Sequence, residues 1–489
     1  MEIELKLALD PKHASRLRRH PLLAGSKPQR RKLHSVYLDT PDLQLMGRGV
    51  AFRLRRVGYH WVQTVKAEAR AVGALSSRPE WEMAVAGNGP DFAVLPADAL
   101  ALLAGIDPRR IVPVFVTEFQ RTTWRLQAGD SAAELALDAG NIHAGEAVQA
   151  ISEVEIELLS GSPSALFDLA LGLLEELPLR IEPRSKAERG YQLTGAIVPA
   201  PVKAIRPDIR RHQPAGEAWV GVTRAALAQL VANVPGFLEH PEDIEYLHQL
   251  RVAMRRLRAA VGLAKGLGAA QPAWSALLGD AMRLLNPARD WDVFLHETLP
   301  TVQNLLVDTP LKEDLLERAR GMAAEARHAA QRSVTTAVFT RLVLAIGRDL
   351  LAPPESDVSA AVWSNQLLDQ RWKKLRALSR NLASLGPGGR HQARIAAKKL
   401  RYAADALEVL YGKRASVFLD SLAELQARLG EANDAYVAAQ LLAELNLRNA
   451  GLAYDAGRVT GVMAARVALH GRESDAVWKR MARARPFWR

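Results

Sequence analysis

The sequence predicts two domains: an α+β N-terminal domain built on an antiparallel eight-stranded β-barrel, followed by an all-α domain made of a duplicated helical bundle. Three observations point there. Apolar residues recur with period two up to about residue 195 and with helical period beyond it. The excess of Lys and Arg over Asp and Glu lies entirely in the second half: 24 against 24 for residues 1–200, and 41 against 29 for residues 201–489. A cationic motif in that half also recurs at a fixed distance.

The strand half reads as Met1 to Leu9, Ser35 to Leu38, Val50 to Val57, Trp61 to Lys66, Pro79 to Val85, Val114 to Leu126, Glu134 to Asp138 and Ile151 to Leu159. Ala165 to Leu177 has helical spacing behind Ser162-Pro163. Pro199, Pro201, Pro207 and Pro214 then deter regular structure. The boundaries that follow are 1–200 for the strand domain, 201–214 for a Pro-rich linker and 215–489 for the helical domain. The chain has no cysteine, which excludes disulfides, thiolate catalysis and cysteine-ligated metals. No apolar run approaches the ~18 residues of a membrane span, and the N-terminus has no signal-peptide pattern, so a cytoplasmic protein with no membrane partner is expected.

The polar positions of the strands are unusual. Alternate residues point to one face, and Glu2, Glu4 and Lys6 share one; so do Arg53 with Arg55, Glu80 with Glu82, Glu134 with Asp138, and Glu153, Glu155 with Glu157. Any single pair fits a solvated sheet face. A whole set of carboxylate-only and guanidinium-only rows repels itself unless opposite charge lies between the rows. A closed barrel whose interior takes divalent cations and an anionic ligand supplies that charge.

The ordered set Glu2-x-Glu4-x-Lys6, Tyr37-Leu38-Asp39-Thr40-Pro41, Arg53-Leu54-Arg55, Thr64-Val65-Lys66, Arg78-Pro79-Glu80, Arg121 with Trp124, Leu137-Asp138, Glu153-Val154-Glu155 and Ser185-Lys186 resembles the CYTH superfamily, the triphosphate tunnel metalloenzymes. The resemblance implies a β-barrel tunnel in which Lys6, Arg53, Arg55, Lys66, Arg121, Arg184 and Lys186 clamp phosphate. It also implies that Glu2, Glu4, Glu80, Asp138, Glu153 and Glu155 hold Mg²⁺ or Mn²⁺. These residue types suit the chemistry: guanidinium grips phosphate oxygens in a fork, ammonium adds a point charge, and hard cations take oxygen ligands. Thr123 stands where relatives commonly carry a basic residue, which bears on the substrate more than on the fold.

In the helical half, His248-x-x-Arg251-x-x-x-Arg255-Arg256-Leu257-Arg258 recurs as His391-x-x-Arg394-x-x-x-Lys398-Lys399-Leu400-Arg401. Leu285-x-x-x-Arg289-Asp290-x-x-Val293 is echoed by Leu429-x-x-x-Asn433-Asp434-x-x-Val437. Two homologous halves of about four helices each are expected. At roughly 100° per residue, His248, Arg251, Arg255 and Arg258 fall within an arc of about 80°, with Leu250, Met254, Leu257 and Val261 on a separate, core-facing arc. Like charges three or four apart cost a helix about 0.2 to 0.5 kcal/mol per pair, so the stripe does not serve the helix itself. A solvated Arg-rich face is the plain alternative, against which the in-phase repetition stands. Asp290 and Asp434 are expected to pair with these cations or cap helices.

These motifs resemble the CHAD domain, a helical module that accompanies CYTH domains and binds inorganic polyphosphate. By that resemblance His248, Arg251, Arg255, Arg256, Arg258, His391, Arg394, Lys398, Lys399 and Arg401 line a groove, with Arg256 and Lys399 lying off the stripe. The arrangement of a CYTH domain before a CHAD domain resembles the bacterial inorganic triphosphatase type. It implies hydrolysis of inorganic triphosphate to pyrophosphate and phosphate, with polyphosphate and polyphosphate granules as partners. Hydrolysis of thiamine or nucleoside triphosphate, a class IV adenylyl cyclase reaction and a non-enzymatic granule-binding role remain open. The cations lack interleaved base-stacking aromatics, which disfavours nucleic acid.

Overall fold

The computed structural model describes residues 2–67, 70–306, 310–445 and 450–489; Met1 of the first predicted strand lies outside them. Contacts divide the chain into two compact units. One gathers the residues up to Pro201 with Val234–Gly236 and Thr335–Leu351, and the other gathers Val202–Asn233, Phe237–Val334 and Ala352–Arg489.

The first unit is an antiparallel half-barrel. Its described strands are β1 Glu2–Ala8, β2 Gln29–Asp39, β3 Ala51–Val57, β4 His60–Lys66, β5 Arg70–Val72, β6 Leu75–Arg78, β7 Glu80–Val85, β8 Val112–Ala128, β9 Ser131–Ala144, β10 Ala147–Ser160 and β11 Arg180–Ile181. The hydrogen-bonded order is β5-β6-β1-β10-β9-β8-β2-β3-β4-β7, with β11 on β1. Three short strands, β5, β6 and β11, raise the number above eight; with two to four residues each, they are too brief to show a period in sequence. No ladder joins the two ends of that path among the described residues. The chain joins β7 to β6, the neighbour of β5, at Pro79, and Lys66 of β4 reaches Glu2 of β1 at 2.9 Å.

The β1 alternation predicted from sequence sorts its two faces. Leu5 and Leu7, both fully buried, lie on the side where helix α1, Ser164–Leu174, packs against β1 and β10. Glu2, Glu4 and Lys6 take the opposite face. Toward one end the interior turns apolar: Leu33, Tyr37, Phe115, Phe119, Ile142, Ala144, Ile151 and Tyr191 form one cluster. Tyr191 belongs to helix α2, Lys186–Leu193, whose capping box is closed by Ser185 and Glu188. At Gly190 the helix lies directly on the Phe115 ring, where an added Cβ would come within 2.1 Å of it.

The Tyr37-to-Pro41 motif owes its residue types to this seating. Asp39 is fully buried, and its carboxylate accepts hydrogen bonds from the backbone N–H of Thr40, Leu45 and Met46 at 2.7–2.9 Å and from the Tyr191 hydroxyl at 2.9 Å. It therefore ties β2 to the turn that follows and to α2.

The second unit is helical. Continuing the numbering over helices of eight residues or more, the described ones are α3 Ala215–Glu239, α4 Ile244–Ala264, α5 Ser275–Val293, α6 Glu313–Val334, α7 Ala337–Asp349, α8 Ala360–Leu378, α9 Pro387–Leu407, α10 Ser416–Glu444 and α11 Ala450–Arg483. The duplication appears as four helices, α3–α6, followed by four more, α8–α11. Helix α7 falls between the two sets and belongs by contacts to the first unit. Leu250, Met254 and Leu257 of α4 are fully buried, and α4 packs against α9, so the two repeated motifs lie on neighbouring helices.

Replacing Asp39 by Ala leaves three N–H groups, two of them buried, and one buried hydroxyl without their acceptor. At about 1.5 to 3 kcal/mol per hydrogen bond to a charged group, Asp39→Ala is expected to destabilise the first unit by at least about 3 kcal/mol in urea unfolding. A loss below about 1 kcal/mol would contradict the role given to this carboxylate.

Candidate functional site

Inside the half-barrel the predicted rows face one another and pair across strands. Two groups form. In the first, Lys66 Nζ lies 2.9 Å from Glu2 and 3.0 Å from Glu80, and Arg78 bridges Glu2 at 2.8 Å and Glu4 at 2.7 Å. Arg53 reaches Glu80 at 3.5 Å and Glu82 at 3.3 Å, and Thr64 donates to Glu82. In the second, Arg121 grips Asp138 in a bidentate pair at 2.8 and 2.6 Å and also meets Glu155. Lys186 lies among Asp138, Glu153 and Glu155, and Arg189 pairs with Glu153.

Titration follows from these pairings. Glu2 sits in a buried site that alone would raise its pKa, yet Lys66 and Arg78 pull it down to about 2. Lys186 is held well above the ordinary lysine value, since its three carboxylates outweigh its burial. Glu157, in register with Glu4 on the adjoining strand, goes the other way. Burial and then the charges of Glu2, Glu80 and Glu4 push it up to about 7, against the pull of Lys66, and no ion pair holds it among the described residues.

Arg55 is the exception among the cations. Its Nε donates to Ser35 Oγ at 3.0 Å, and it forms no ion pair among the described residues. Burial, Arg53 and Arg121 push its pKa down to about 9. Arg55, Arg121 and Lys186 also converge on the ring of Phe119, at 6.0, 5.8 and 5.0 Å from its centroid. The other two members of the predicted clamp are engaged elsewhere. Lys6 donates to the backbone carbonyl of Arg184, whose guanidinium folds back on Glu182 at 2.8–2.9 Å and on Gln192 at 3.1 Å.

Asp138, Glu153 and Glu155 each offer a carboxylate oxygen within 4.8 Å of the others, a hard all-oxygen set that fits a divalent cation. Glu2, Glu4, Glu80 and Glu157 make a second crowded set, whose charges add to burial in raising Glu157. Sequence reasoning gave no role to Arg78 or Arg189. Arg78 stood inside a quoted motif, and Arg189, three residues after Lys186, shares its side of a helix. Cross-strand register brings Arg78 to Glu2 and Glu4, and the seating of α2 on the sheet brings Arg189 to Glu153.

In the second unit, Arg251, Arg255, Arg394 and Lys398 share one neighbourhood: burial, then Arg394, Arg255 and Arg251, push the Lys398 ammonium down to about 8. Arg251 donates to the carbonyl of Met282 at 2.9 Å, and Arg394 to Asn433 Oδ1 at 3.2 Å. Asp290 attracts Arg251 and Arg289, and Asp434 attracts Arg394 and Lys398. Burial and then Arg289 lower the pKa of half-buried His248. Arg258, His391 and Lys399 are exposed, and Arg401 lies 3.6 Å from Asp405. Arg256 turns away from the stripe, donating to Gln229 Oε1 at 2.6 Å and to the carbonyl of Ile205.

Two family models match the chain: the CYTH domain over residues 1–191 and the CHAD domain over residues 221–443. The chain carries a CYTH domain followed by a CHAD domain. Over 194 residues it is 34% identical to a Haemophilus influenzae protein named inorganic triphosphatase; the match takes in 39% of this chain and 54% of that relative, so the chain spans about half the relative's length. The crystal structure of the CHAD domain from the plant Ricinus communis superposes with a TM-score of 0.52 at 29% identity, covering 58% of this chain and 98% of that one. Among the described residues, no helix is long and apolar enough to cross a membrane.

Proposed function

We propose that the CYTH domain hydrolyses inorganic triphosphate to pyrophosphate and phosphate with Mg²⁺ or Mn²⁺, and that the CHAD domain binds inorganic polyphosphate. The observation that carries the first part is Arg55, a half-buried guanidinium that forms no ion pair among the described residues and lies beside Arg53 and Arg121. An oligophosphate placed there would neutralise Arg55 and would draw Arg53, Arg121, Lys66 and Lys186 onto its oxygens. Oxygen of water forms the new bond to the terminal phosphorus, the bridging P–O bond breaks, and pyrophosphate leaves with the electron pair while the water's proton passes to solvent. Glu2, Glu4, Glu80, Asp138, Glu153 and Glu155 would hold the divalent cation, which supplies charge neutralisation and a water made more acidic.

The second part rests on the convergence of the α4 and α9 stripes, whose mutual repulsion a polyanion would relieve. The Asp290 and Asp434 carboxylates face the same cations and would yield to phosphate.

If Arg55 is the phosphate's main charge partner, Arg55→Ala should lower kcat/KM for triphosphate at least ~100-fold, or about 2.7 kcal/mol of transition-state stabilisation. An intact variant with normal kcat/KM would remove Arg55 from the clamp.

For the CHAD domain, neutralising Arg251 with Arg255, or Arg394 with Lys398, should weaken polyphosphate binding alike. By analogy with a slope near 0.9 per neutralised phosphate, each pair should flatten the salt dependence by roughly two units. Because bound polyanion favours the charged form of Lys398, affinity should also fall as pH rises through about 8. Loss confined to one stripe, or equal affinity for duplex DNA at matched salt, would mark a general basic surface instead.

A further inference from the structure

We propose that helix α7, although encoded between the two sets of CHAD helices, is a working part of the CYTH unit: it positions the segment Leu179–Lys186, from which Arg184 and Lys186 project. The inference rests on the triphosphatase reading for its kinetic consequence, not for its geometry. The duplication accounts for α3–α6 and α8–α11 and leaves α7 without a counterpart. Contacts place Thr335–Leu351 with the half-barrel, where α7 packs on α1 and on β11.

The seating is specific. Thr340 Oγ1, fully buried, donates to the carbonyl of Leu179 at 2.8 Å, and Leu179 is itself fully buried. Arg341 pairs with Glu175, the residue after α1, at 2.9 Å, and Arg348 with Asp168 of α1 at 2.8 Å, two surface contacts that align α7 with α1. Gly347 lies against the buried Phe167 ring of α1. An added Cβ there would come within 2.7 Å of the ring, so glycine is what permits this approach.

Leu179 leads straight into the clamp. Directly after it, β11 makes a two-residue pairing with β1 at Leu7 and Ala8. Next, Glu182 accepts from the Arg184 N–H and guanidinium, Lys6 donates to the Arg184 carbonyl, and Lys186 enters the Asp138, Glu153 and Glu155 set. A pairing of two residues is a weak anchor by itself. The Thr340 hydrogen bond supplies a second hold at the head of the segment, and it comes from a helix whose ends run on into α6 and α8. Thr340 is thus a positioning residue for Lys186, and the CYTH unit is incomplete without chain from the helical half.

The test uses the full chain. Thr340→Val keeps the shape and removes the donor; Thr340→Ser keeps the donor. Because a small misplacement of a clamp group is costly to the chemical step, Thr340→Val should lower kcat for triphosphate about tenfold, and Thr340→Ser should stay within about twofold of the parent. Amide hydrogen exchange across Leu179–Lys186 should quicken about tenfold in Thr340→Val, while exchange in α4 and α9 stays unchanged. If Thr340→Val does not fold, the paired surface variant Arg341→Gln with Arg348→Gln should still quicken exchange in that segment, by about threefold. Parent-like kcat and exchange in Thr340→Val, or parent-like exchange in the paired variant where that one must be used, overturn the proposal. If the parent chain releases no phosphate from triphosphate, the functional reading fails, while the exchange result still decides the role of α7.

Discussion

Buried charge in the half-barrel must be balanced, and most features of the N-terminal unit answer to that constraint. Rows of carboxylates and rows of cations on inward faces would each repel within the row at low dielectric. Cross-strand register and the seating of α2 interleave them: Lys66 and Arg78 among Glu2, Glu4 and Glu80, and Arg121, Lys186 and Arg189 among Asp138, Glu153 and Glu155. The balance is incomplete at two places. Among the described residues neither Arg55 nor Glu157 forms an ion pair. A polyanion entering with a divalent cation would complete both, so the arrangement that holds the half-barrel together would also suit the metal–phosphate ligand proposed for it.

The sequence made the charged faces legible because alternation depends only on a residue's place in its own strand. Glu2, Glu4 and Lys6 could be put on one face with no knowledge of neighbours. Who pairs with whom could not be read, because it depends on register between strands far apart in the chain: Arg78 meets Glu2 and Glu4 across more than 70 positions. The duplicated stripe of α4 was equally legible, since helical period places Leu250, Met254 and Leu257 in the core. The turning of Arg256 toward Gln229 and Ile205 was not, because those partners lie outside its helix. The engaged state of Arg184 has a local cause instead: Glu182, two residues away, competes for it.

Chain order and structural unit part company at α7. In sequence this helix is one more amphipathic segment in a half that is helical throughout, and nothing in its composition sets it apart. Its counterpart is missing only when the helices are matched across the duplication, and its place shows only through Thr340 and Gly347. Asp39 acts likewise at the other end of the clamp helix, fixing Tyr191 while α7 fixes the approach to Lys186. Residues outside the charged set thus hold it in place from two sides.

The most direct test of this account is to follow triphosphate and its products by phosphorus NMR, with and without added Mg²⁺ or Mn²⁺. Triphosphate should disappear only with the metal, giving pyrophosphate and orthophosphate in equal amounts, and EDTA should stop it. Triphosphate left intact in the presence of either metal, or consumed as fast in EDTA, would contradict the account.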